Sequence, residues 1–175
     1  MNRMLAMLPL LVLGACSTTH SSMSDNTAAK SQFETLRSLE GDWVGEPAPD
    51  GTRVETTFHV TGNGSAVQQV LFPNTPHEMI SMYHLDGDRL LHTHYCALGN
   101  QPRMVAKAPK QQGEIAFAFL DATNMPSTDD MHMHEMRLLV RDKDHIEEWW
   151  QAWDKGQAQA DHAVHFVLKR KNARP

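Results

Sequence analysis

The chain is poor in cysteine, with two in 175 residues, Cys16 and Cys96. Small secreted domains that lack a large core are often held together by several disulfides. Two cysteines can form at most one disulfide, which excludes such a framework. The fold must therefore depend on a hydrophobic core, for which 41% of the residues are suited.

Positive charge is also scarce, because 16 Lys and Arg residues stand against 21 Asp and Glu residues and the formal net charge is −5. Proteins that bind nucleic acids need a basic surface to neutralise phosphates. The run Lys169-Arg170-Lys171 is short and can simply be solvated. The charge balance therefore argues against nucleic acid as a partner.

The chain lacks an apolar run long enough to cross a bilayer as a helix, which takes roughly 20 residues. The N-terminus instead carries Arg3, a short apolar run from Leu5 to Leu13, and a cysteine after two small residues. A positive region, a short apolar region and small residues before the cut are typical of a secretory signal. The stretch Leu13-Gly14-Ala15-Cys16 resembles the bacterial lipobox, in which the cysteine thiol accepts the lipid.

This resemblance implies three parts: a lipoprotein signal peptide at 1–15, a lipidated flexible tether at 16–30 and one domain at 31–175. The tether is rich in Ser, Thr, Asn and Ala, which bury too little apolar surface to become ordered. Residue 17 is Ser rather than Asp, and resemblance to Gram-negative sorting then favours the outer membrane. We expect a protein on the periplasmic face of the outer membrane, anchored by a lipid on Cys16.

The domain is expected to begin with a short helix and to continue as strands. Ser31 and Glu34 fit a capping box, and the spacing of Phe33 and Leu36 predicts a helix at 32–38. After it, short apolar–polar alternations separated by turn residues predict about ten strands. So many short strands favour an all-β fold, a closed or nearly closed antiparallel barrel, because closure removes exposed strand edges.

One predicted hairpin places chemically interesting side chains on a common face. The turn Asp86-Gly87-Asp88 is a strong hairpin signal. Residues two apart on a strand project to the same side, and the turn sets which residues of the two strands face each other. Tyr83 is therefore expected beside His92 and His94.

A second hairpin is predicted around Asp142-Lys143. A two-residue turn there pairs Arg137 with Glu148, and opposite charges in such a pair are favourable and mark the solvent-facing side. The opposite face then carries His132, His134, Met136 and Leu138 beside Glu147, Trp149, Gln151 and Trp153.

Two stretches resemble lipocalin-like barrels. Leu39-Glu40-Gly41-Asp42-Trp43 is similar to their Gly-x-Trp opening, in which the Trp packs across the closed end under a basic residue of the last strand. Lys169 or Arg170 would fill that role. Residues 93–104, Thr-His-Tyr-Cys-Ala-Leu-Gly-Asn-Gln-Pro-Arg-Met, look like a signature of bacterial lipocalin-like proteins. The resemblance covers about 40–170 and implies a barrel with an internal cavity, but it brings no activity and no catalytic residues.

Two histidine pairs, His92-x-His94 and His132-x-His134, form the sharpest chemical pattern. Each pair offers two imidazoles on one side of a strand. Two such strands meeting across a small lumen would build a zinc or copper site. Haem held by one interior His is a further option, by similarity to a related haem-binding barrel. The alternative is that some of these histidines face outward or form a polar network inside.

Arg103 and Trp149 complete the predicted binding residues. A fixed guanidinium binds a carboxylate with two hydrogen bonds, so Arg103 is a candidate anchor for an acidic ligand. Its alternative is a solvated Arg, or one paired with an acid of the protein. Aromatic walls such as Trp149 favour flat apolar ligands. Cys96 is expected to be a buried, unpaired thiol.

The sequence contains no Gly-x-Ser-x-Gly, phosphate loop, dinucleotide fingerprint or His-Glu-x-x-His, so binding is expected rather than catalysis. We expect a barrel that holds a small, partly apolar ligand, with an acidic group as one option. The predicted ligand-binding residues are Tyr83, His92, His94, Arg103, His134 and Trp149. The alternative function is a metal- or haem-binding protein, enzymatic or not, that uses His92, His94, His132 and His134.

Overall fold

The computed structural model describes residues 21–47, 51 and 53–171, with side chains from Thr27 onward. The signal peptide and Cys16 lie outside these residues. One α-helix and ten strands make up the described part, with a short 3-10 turn at Gly62–Gly64. The elements are α1 (Ser21–Ser38), β1 (Gly41–Gly45), β2 (Glu55–Thr61), β3 (Ala66–Leu71), β4 (Met79–Asp86), β5 (Arg89–Tyr95), β6 (Gln101–Ala106), β7 (Glu114–Thr123), β8 (His132–Val140), β9 (His145–Asp154) and β10 (Gln157–Arg170).

The ten strands form a closed antiparallel barrel in which each strand pairs with its neighbours in sequence. Closure comes from β1 and β10, where Trp43 lies opposite Arg170 and Gly45 opposite Leu168. The predicted fold class is confirmed: apart from the N-terminal helix and the short 3-10 turn, the regular structure of the described residues is all-β. Of the helical segments that the structure describes, none is both long and apolar enough to span a membrane.

The helix α1 is longer than the sequence pattern predicts. It begins at Ser21, so Ser31 and Glu34 lie within the helix rather than at its start, and it covers part of the stretch assigned to a flexible tether. Ala29, Phe33 and Leu36 are buried in the core, at the spacing of one helix face. The apolar face thus continues upstream through a small side chain, which the larger apolar residues alone do not reveal.

The helix covers one end of the barrel, which we call the closed end. Trp43 is fully buried there, and its Nε1 donates to the carbonyl of Leu39 at 2.8 Å. The guanidinium of Arg170 lies 4.3 Å from the Trp43 ring centroid and donates to the carbonyl of Glu40 at 2.7 Å. Arg170 therefore fills the expected role over the tryptophan, whereas Lys169 pairs with Glu46.

The opposite end of the barrel, which we call the open end, is bordered by the connections between alternate strands. Because the barrel is an up-and-down meander, the segments at 72–78, 96–100, 124–131 and 155–156 all lie there. Cys96 is at this end, half-buried and unpaired, with its thiol pKa raised by burial.

The β4–β5 hairpin has the predicted register. Tyr83 lies opposite His92 and Ser81 opposite His94. Gly87 has φ of +62°, a conformation that glycine adopts without steric cost. The side chains of Tyr83, His92 and His94 consequently share the inner face, where all three are buried.

The β8–β9 hairpin differs from the prediction by one residue. Leu138 lies opposite Glu148, and Val140 opposite Ile146, so the connection is longer than a two-residue turn. The carboxylate of Asp142 organises it by accepting the backbone N–H of Asp144 at 2.8 Å. A slip of one residue reverses the faces of a strand.

Candidate functional site

A chain of buried polar side chains crosses the barrel interior between β3, β4 and β9. The Tyr83 hydroxyl donates to Oε1 of Gln69 at 2.6 Å, and Nε2 of Gln69 donates to Oε1 of Glu148 at 2.6 Å. Nε1 of Trp150 donates to Oε2 of Glu148 at 3.3 Å. All four residues are buried, so these polar groups depend on one another rather than on bulk water.

Glu148 places an ionisable group inside the barrel. Burial raises the pKa of its carboxyl from 4.5 to about 7, and the hydrogen bonds from Trp150 and Gln69 oppose this shift. The carboxylate would lose its hydration in the interior, which favours the neutral acid. Near neutral pH the group therefore exchanges between its two forms within the core.

His92 lies at the centre of a cluster of rings. Its ring stacks on Tyr83 with centroids 4.5 Å apart, and it lies 5.1 Å from Phe117 and 5.6 Å from Trp150. Burial, followed by the neighbouring His94, holds its pKa well below 6.5. Both ring nitrogens are buried without a hydrogen-bond partner, and leaving such a group unpaired costs about 1–3 kcal/mol.

His94 is anchored beside this cluster. Its Nδ1 lies 3.0 Å from the hydroxyl oxygen of Ser81, and its ring centroid lies 4.7 Å from that of Trp150. Burial lowers the pKa of His94 to about 4, so the imidazole is neutral at physiological pH. We call His94 and Trp150, together with Ser81 and His92, the floor.

A cavity at the open end leads down to the floor. Its volume is about 60 Å³, and we call it the mouth cavity. Apart from His94 and Trp150 of the floor, its lining is apolar. The lining residues are Leu71, Phe72, Met79, His94, Met133, Trp150, Val164 and Phe166.

Arg103 is not part of this interior. It lies on the outer face of β6, where its side chain is 46% exposed and pairs with Asp121 through two hydrogen bonds. Register explains the position, because Arg103 lies opposite Thr93 while its inward neighbour Met104 lies opposite His92. The prediction of an interior anchor for an acidic ligand is wrong for this residue, and the surface ion pair is what the structure contains.

Trp149 also lies outside, as the shifted β8–β9 register requires. It faces Arg137 on one neighbouring strand and His165 on the other. The Arg137 guanidinium lies 3.6 Å from its ring, and the His165 ring stacks on it with centroids 4.4 Å apart. These side chains border a groove of about 360 Å³ on the outer wall, so Trp149 lines a surface groove and not the lumen.

The second histidine pair forms a separate cluster at the open end. Nδ1 of His132 lies 2.7 Å from the carbonyl oxygen of Asp130, and its Nε2 lies 2.9 Å from Nδ1 of His134. The His134 ring is stacked between Trp153 and Phe119, at 3.9 Å and 5.0 Å between centroids. The two histidines thus form a hydrogen bond with each other.

The residues present do not fit the cofactors considered from the sequence. Zinc and copper sites bring several ligands to one point, yet the described residues contain no group of three or more His, Cys, Asp or Glu side chains suited to a metal. The pairs His92/His94 and His132/His134 belong to different ring clusters. Haem does not fit the mouth cavity, because a rigid porphyrin is far larger than the cavity volume of about 60 Å³.

Several residues of the interior site were not expected from the sequence. The sequence pattern predicts Glu148 on the solvent-facing side, and it does not place Ser81, Gln69 or Trp150 in the ligand site. Gln69 has the period-two position of an inward residue on β3, flanked by buried Val67 and Leu71. That position was the one available signal, because the bond from Gln69 to Glu148 joins strands far apart in sequence.

Comparison with known proteins supports the fold. No protein-family model and no curated protein sequence matches the chain. The closed ten-stranded antiparallel barrel fits a lipocalin-like fold in general. The chain is similar in structure to Rv2717c from M. tuberculosis, known from its crystal structure, with a TM-score of 0.53 and 16% sequence identity over 81% of this chain and 98% of that one. At that identity the likeness concerns the fold alone.

Proposed function

We propose that the chain is a binding lipoprotein whose barrel takes up a small, mostly apolar molecule through its open end. The mouth cavity carries this proposal, because apolar walls lead to a floor of neutral hydrogen-bonding groups. An apolar body gains free energy by leaving water. A few polar groups at the base then fix its orientation, as in other small-molecule sites.

The charges of the interior favour a ligand without an acidic group. Arg103 faces outward, and burial keeps His92 and His94 neutral. The one acidic group of the buried network, Glu148, would repel an anion when ionised. A buried carboxylate on the ligand would therefore lack a compensating cation.

The walls of the mouth cavity can adapt to ligands larger than its present volume. Met79 and Met133 are both part of the lining. Methionine is unbranched and flexible, so it can move aside at low cost. Binding of a ring-sized molecule is therefore expected to shift these two side chains.

A matched pair of substitutions on β10 tests the location of the site. Val164 lines the mouth cavity, whereas Val167 on the same strand is 56% exposed on the outer face. Val164→Phe should fill the cavity and abolish binding of indole measured by calorimetry, while Val167→Phe should leave it unchanged. Unaltered indole binding by Val164→Phe would place the site elsewhere.

We also propose that the protein works at the periplasmic face of the outer membrane, held by a lipid on Cys16. The segment Leu13-Gly14-Ala15-Cys16 supports this proposal. Mass spectrometry of the mature N-terminus should find Cys16 as the first residue with acyl chains attached. Cys16→Ser should abolish acylation and move the protein out of the outer-membrane fraction; an unacylated, non-membrane wild-type protein would contradict the proposal.

A further inference from the structure

We propose that the closed end is a docking surface for the anionic bilayer that carries the lipid anchor, so that the barrel stands on α1 and its open end faces away from the membrane. This inference rests on the proposed anchor at Cys16 and adds the orientation of the barrel. It follows from the short distance between Cys16 and α1 and from the unpaired charges at the two ends.

The chain between the anchor and the barrel is short. Helix α1 begins at Ser21 and continues without a break to Ser38, and Ala29 is already buried in the core at the closed end. Five residue steps, from Cys16 to Ser21, span at most about 18 Å even in a fully extended chain. Strands the length of β9, with ten residues, give a tilted barrel a height of about 25 Å. This connection is therefore shorter than the barrel is tall, and it brings the closed end to the bilayer.

Exposed lysines without an ion pair lie on and beside α1. Lys30 is on the helix, and Lys107 and Lys110 are in the connection between β6 and β7. This connection packs along the helix, because Nε2 of Gln32 donates to the carbonyl of Lys107 at 3.0 Å. None of the three ammonium groups has a carboxylate partner among the described residues. In contrast, a carboxylate lies beside each lysine of the β8–β9 turn and of the end of the last strand: Lys143, Lys169 and Lys171.

Few free carboxylates oppose the three lysines. Asp88, in the β4–β5 turn, borders the same cleft as Lys107 and has no cationic partner among the described residues. Glu40 and Asp42 follow the far end of the helix. The other carboxylates near this part of α1 already have a cationic partner, and they are Glu34, Asp86 and Glu114. The unpaired charge around the helix is therefore positive.

The open end has the opposite charge. Lys155 and Arg53 are its cations without an ion pair in the described part of the chain, and Arg53 helps to lower the pKa of Glu46. A negatively charged lipid surface attracts basic groups close to it and repels acidic ones. The carboxylates in or beside the open-end connections that lack a cationic partner in the same part of the chain are Glu78, Asp129, Asp130 and Asp154. Attraction at one end and repulsion at the other thus favour the same orientation.

Nitroxide lipids measure this orientation. Acylated, ¹⁵N-labelled wild-type protein is placed in nanodiscs of phosphatidylglycerol and phosphatidylethanolamine that contain a lipid with a nitroxide headgroup. The amide signals of Gly87 and Gly113, at the closed end, should lose most of their intensity, because paramagnetic relaxation falls steeply with distance. The signals of Gly99 and Gly156, at the open end, should keep most of theirs. Equal losses at the two ends, or larger losses at the open end, would overturn the inference.

A triple substitution tests the lysines while the lipid anchor stays in place. In the variant Lys30→Gln, Lys107→Gln, Lys110→Gln, the losses at the closed end on anionic nanodiscs should fall to those of wild type on phosphatidylcholine nanodiscs. About 1 M salt should act in the same way, because it screens charges beyond roughly 3 Å. Lys155→Gln removes an exposed lysine of the open end and is the matched control, which should behave as wild type. Losses that neither the triple substitution nor salt reduces would show that these lysines do not dock on lipid.

The outcomes distinguish this inference from the proposed function. Acylated protein whose closed end is not broadened would overturn the orientation and leave the lipid anchor standing. Absence of an acyl chain on Cys16 would contradict the proposed location. Sedimentation with phosphatidylglycerol vesicles would then compare wild type with the triple variant, and equal binding of the two would overturn the docking surface as well.

Discussion

Strand β9 contains two pairs of identical neighbours, Glu147-Glu148 and Trp149-Trp150. In each pair the first residue lies outside the barrel and the second lies inside. Outside, hydrogen bonds from Arg141 and then His165 hold the pKa of Glu147 below its usual value. Inside, burial raises the pKa of Glu148 to about 7. Trp149 stacks between charged and polar side chains, whereas Trp150 packs against His92 and His94 and donates to Glu148. The same residue type thus has a different role depending only on whether its position on the strand faces the interior or the outside.

The largest expected contrast lies between the two tryptophans. Trp150→Ala leaves a cavity among buried rings, and we expect a loss of about 3–5 kcal/mol in the free energy of unfolding. Trp149→Ala removes a cation–π contact and a ring stack on the surface, and should cost about 1 kcal/mol. Urea denaturation followed by circular dichroism measures both. Equal losses would mean that the inner and outer faces are less distinct than the structure indicates.

The next contrast concerns the two glutamates and pH. Between its unfolded pKa of 4.5 and its folded pKa of about 7, Glu148 stays protonated in the folded state while the unfolded state releases the proton. Stability relative to Glu148→Gln should therefore fall as pH rises through this window, by about 3 kcal/mol in total. Unfolding of wild type and Glu148→Gln at a series of pH values measures the difference.

Glu147→Gln is the control of opposite sign. Because the folded pKa of Glu147 is lowered, its contribution to stability is present above the unfolded pKa and is lost as pH falls. The free energy of unfolding of wild type relative to Glu147→Gln should therefore fall when the solution is acidified, whereas that of wild type relative to Glu148→Gln should rise. A Glu148→Gln difference that is flat between pH 4.5 and 7 would show that the carboxyl is hydrated in the folded protein.

The smallest expected effect lies at the turn between β8 and β9, which sets which residues of β9 face the interior. The carboxylate of Asp142 accepts the N–H of Asp144 at 2.8 Å and lies 2.9 Å from Nδ1 of His145. Asp142→Ala should cost about 1 kcal/mol by removing these bonds. Asp88→Ala, at the β4–β5 turn, serves as the comparison, since no side-chain hydrogen bond of Asp88 is found among the described residues. Equal losses in the free energy of unfolding for the two changes would show that Asp142 does not stabilise this register.

How far the sequence predicts the interior depends on the turns. Around Gly87 the turn is tight, and its chemistry placed Tyr83, His92 and His94 on one face correctly. Around Asp142 the turn is longer and is stabilised by a side chain, so an assumed two-residue loop reversed the faces of β9. The attractive pairing of Arg137 with Glu148 supported the wrong register, although Arg137 in fact lies opposite Trp149.

Contacts across the barrel are harder to predict than strands. The fold class follows from alternation, turn residues and the Gly41-x-Trp43 opening, whose tryptophan Arg170 covers. The polar chain from Tyr83 through Gln69 to Glu148 depends instead on which strands face each other after closure. No local pattern around Gln69 indicates that its amide lies 2.6 Å from Glu148.

The helix over the closed end also bears on the kinetics of ligand exchange. Ala29, Phe33 and Leu36 of α1 are buried in the core with Trp43. A ligand taken up through the open end would then leave by the same route, over the same barrier. Substitutions that only narrow this passage should slow association and dissociation together and leave the affinity unchanged. Changes at His94 or Ser81 should instead act on residence time, because most affinity differences arise in the dissociation rate.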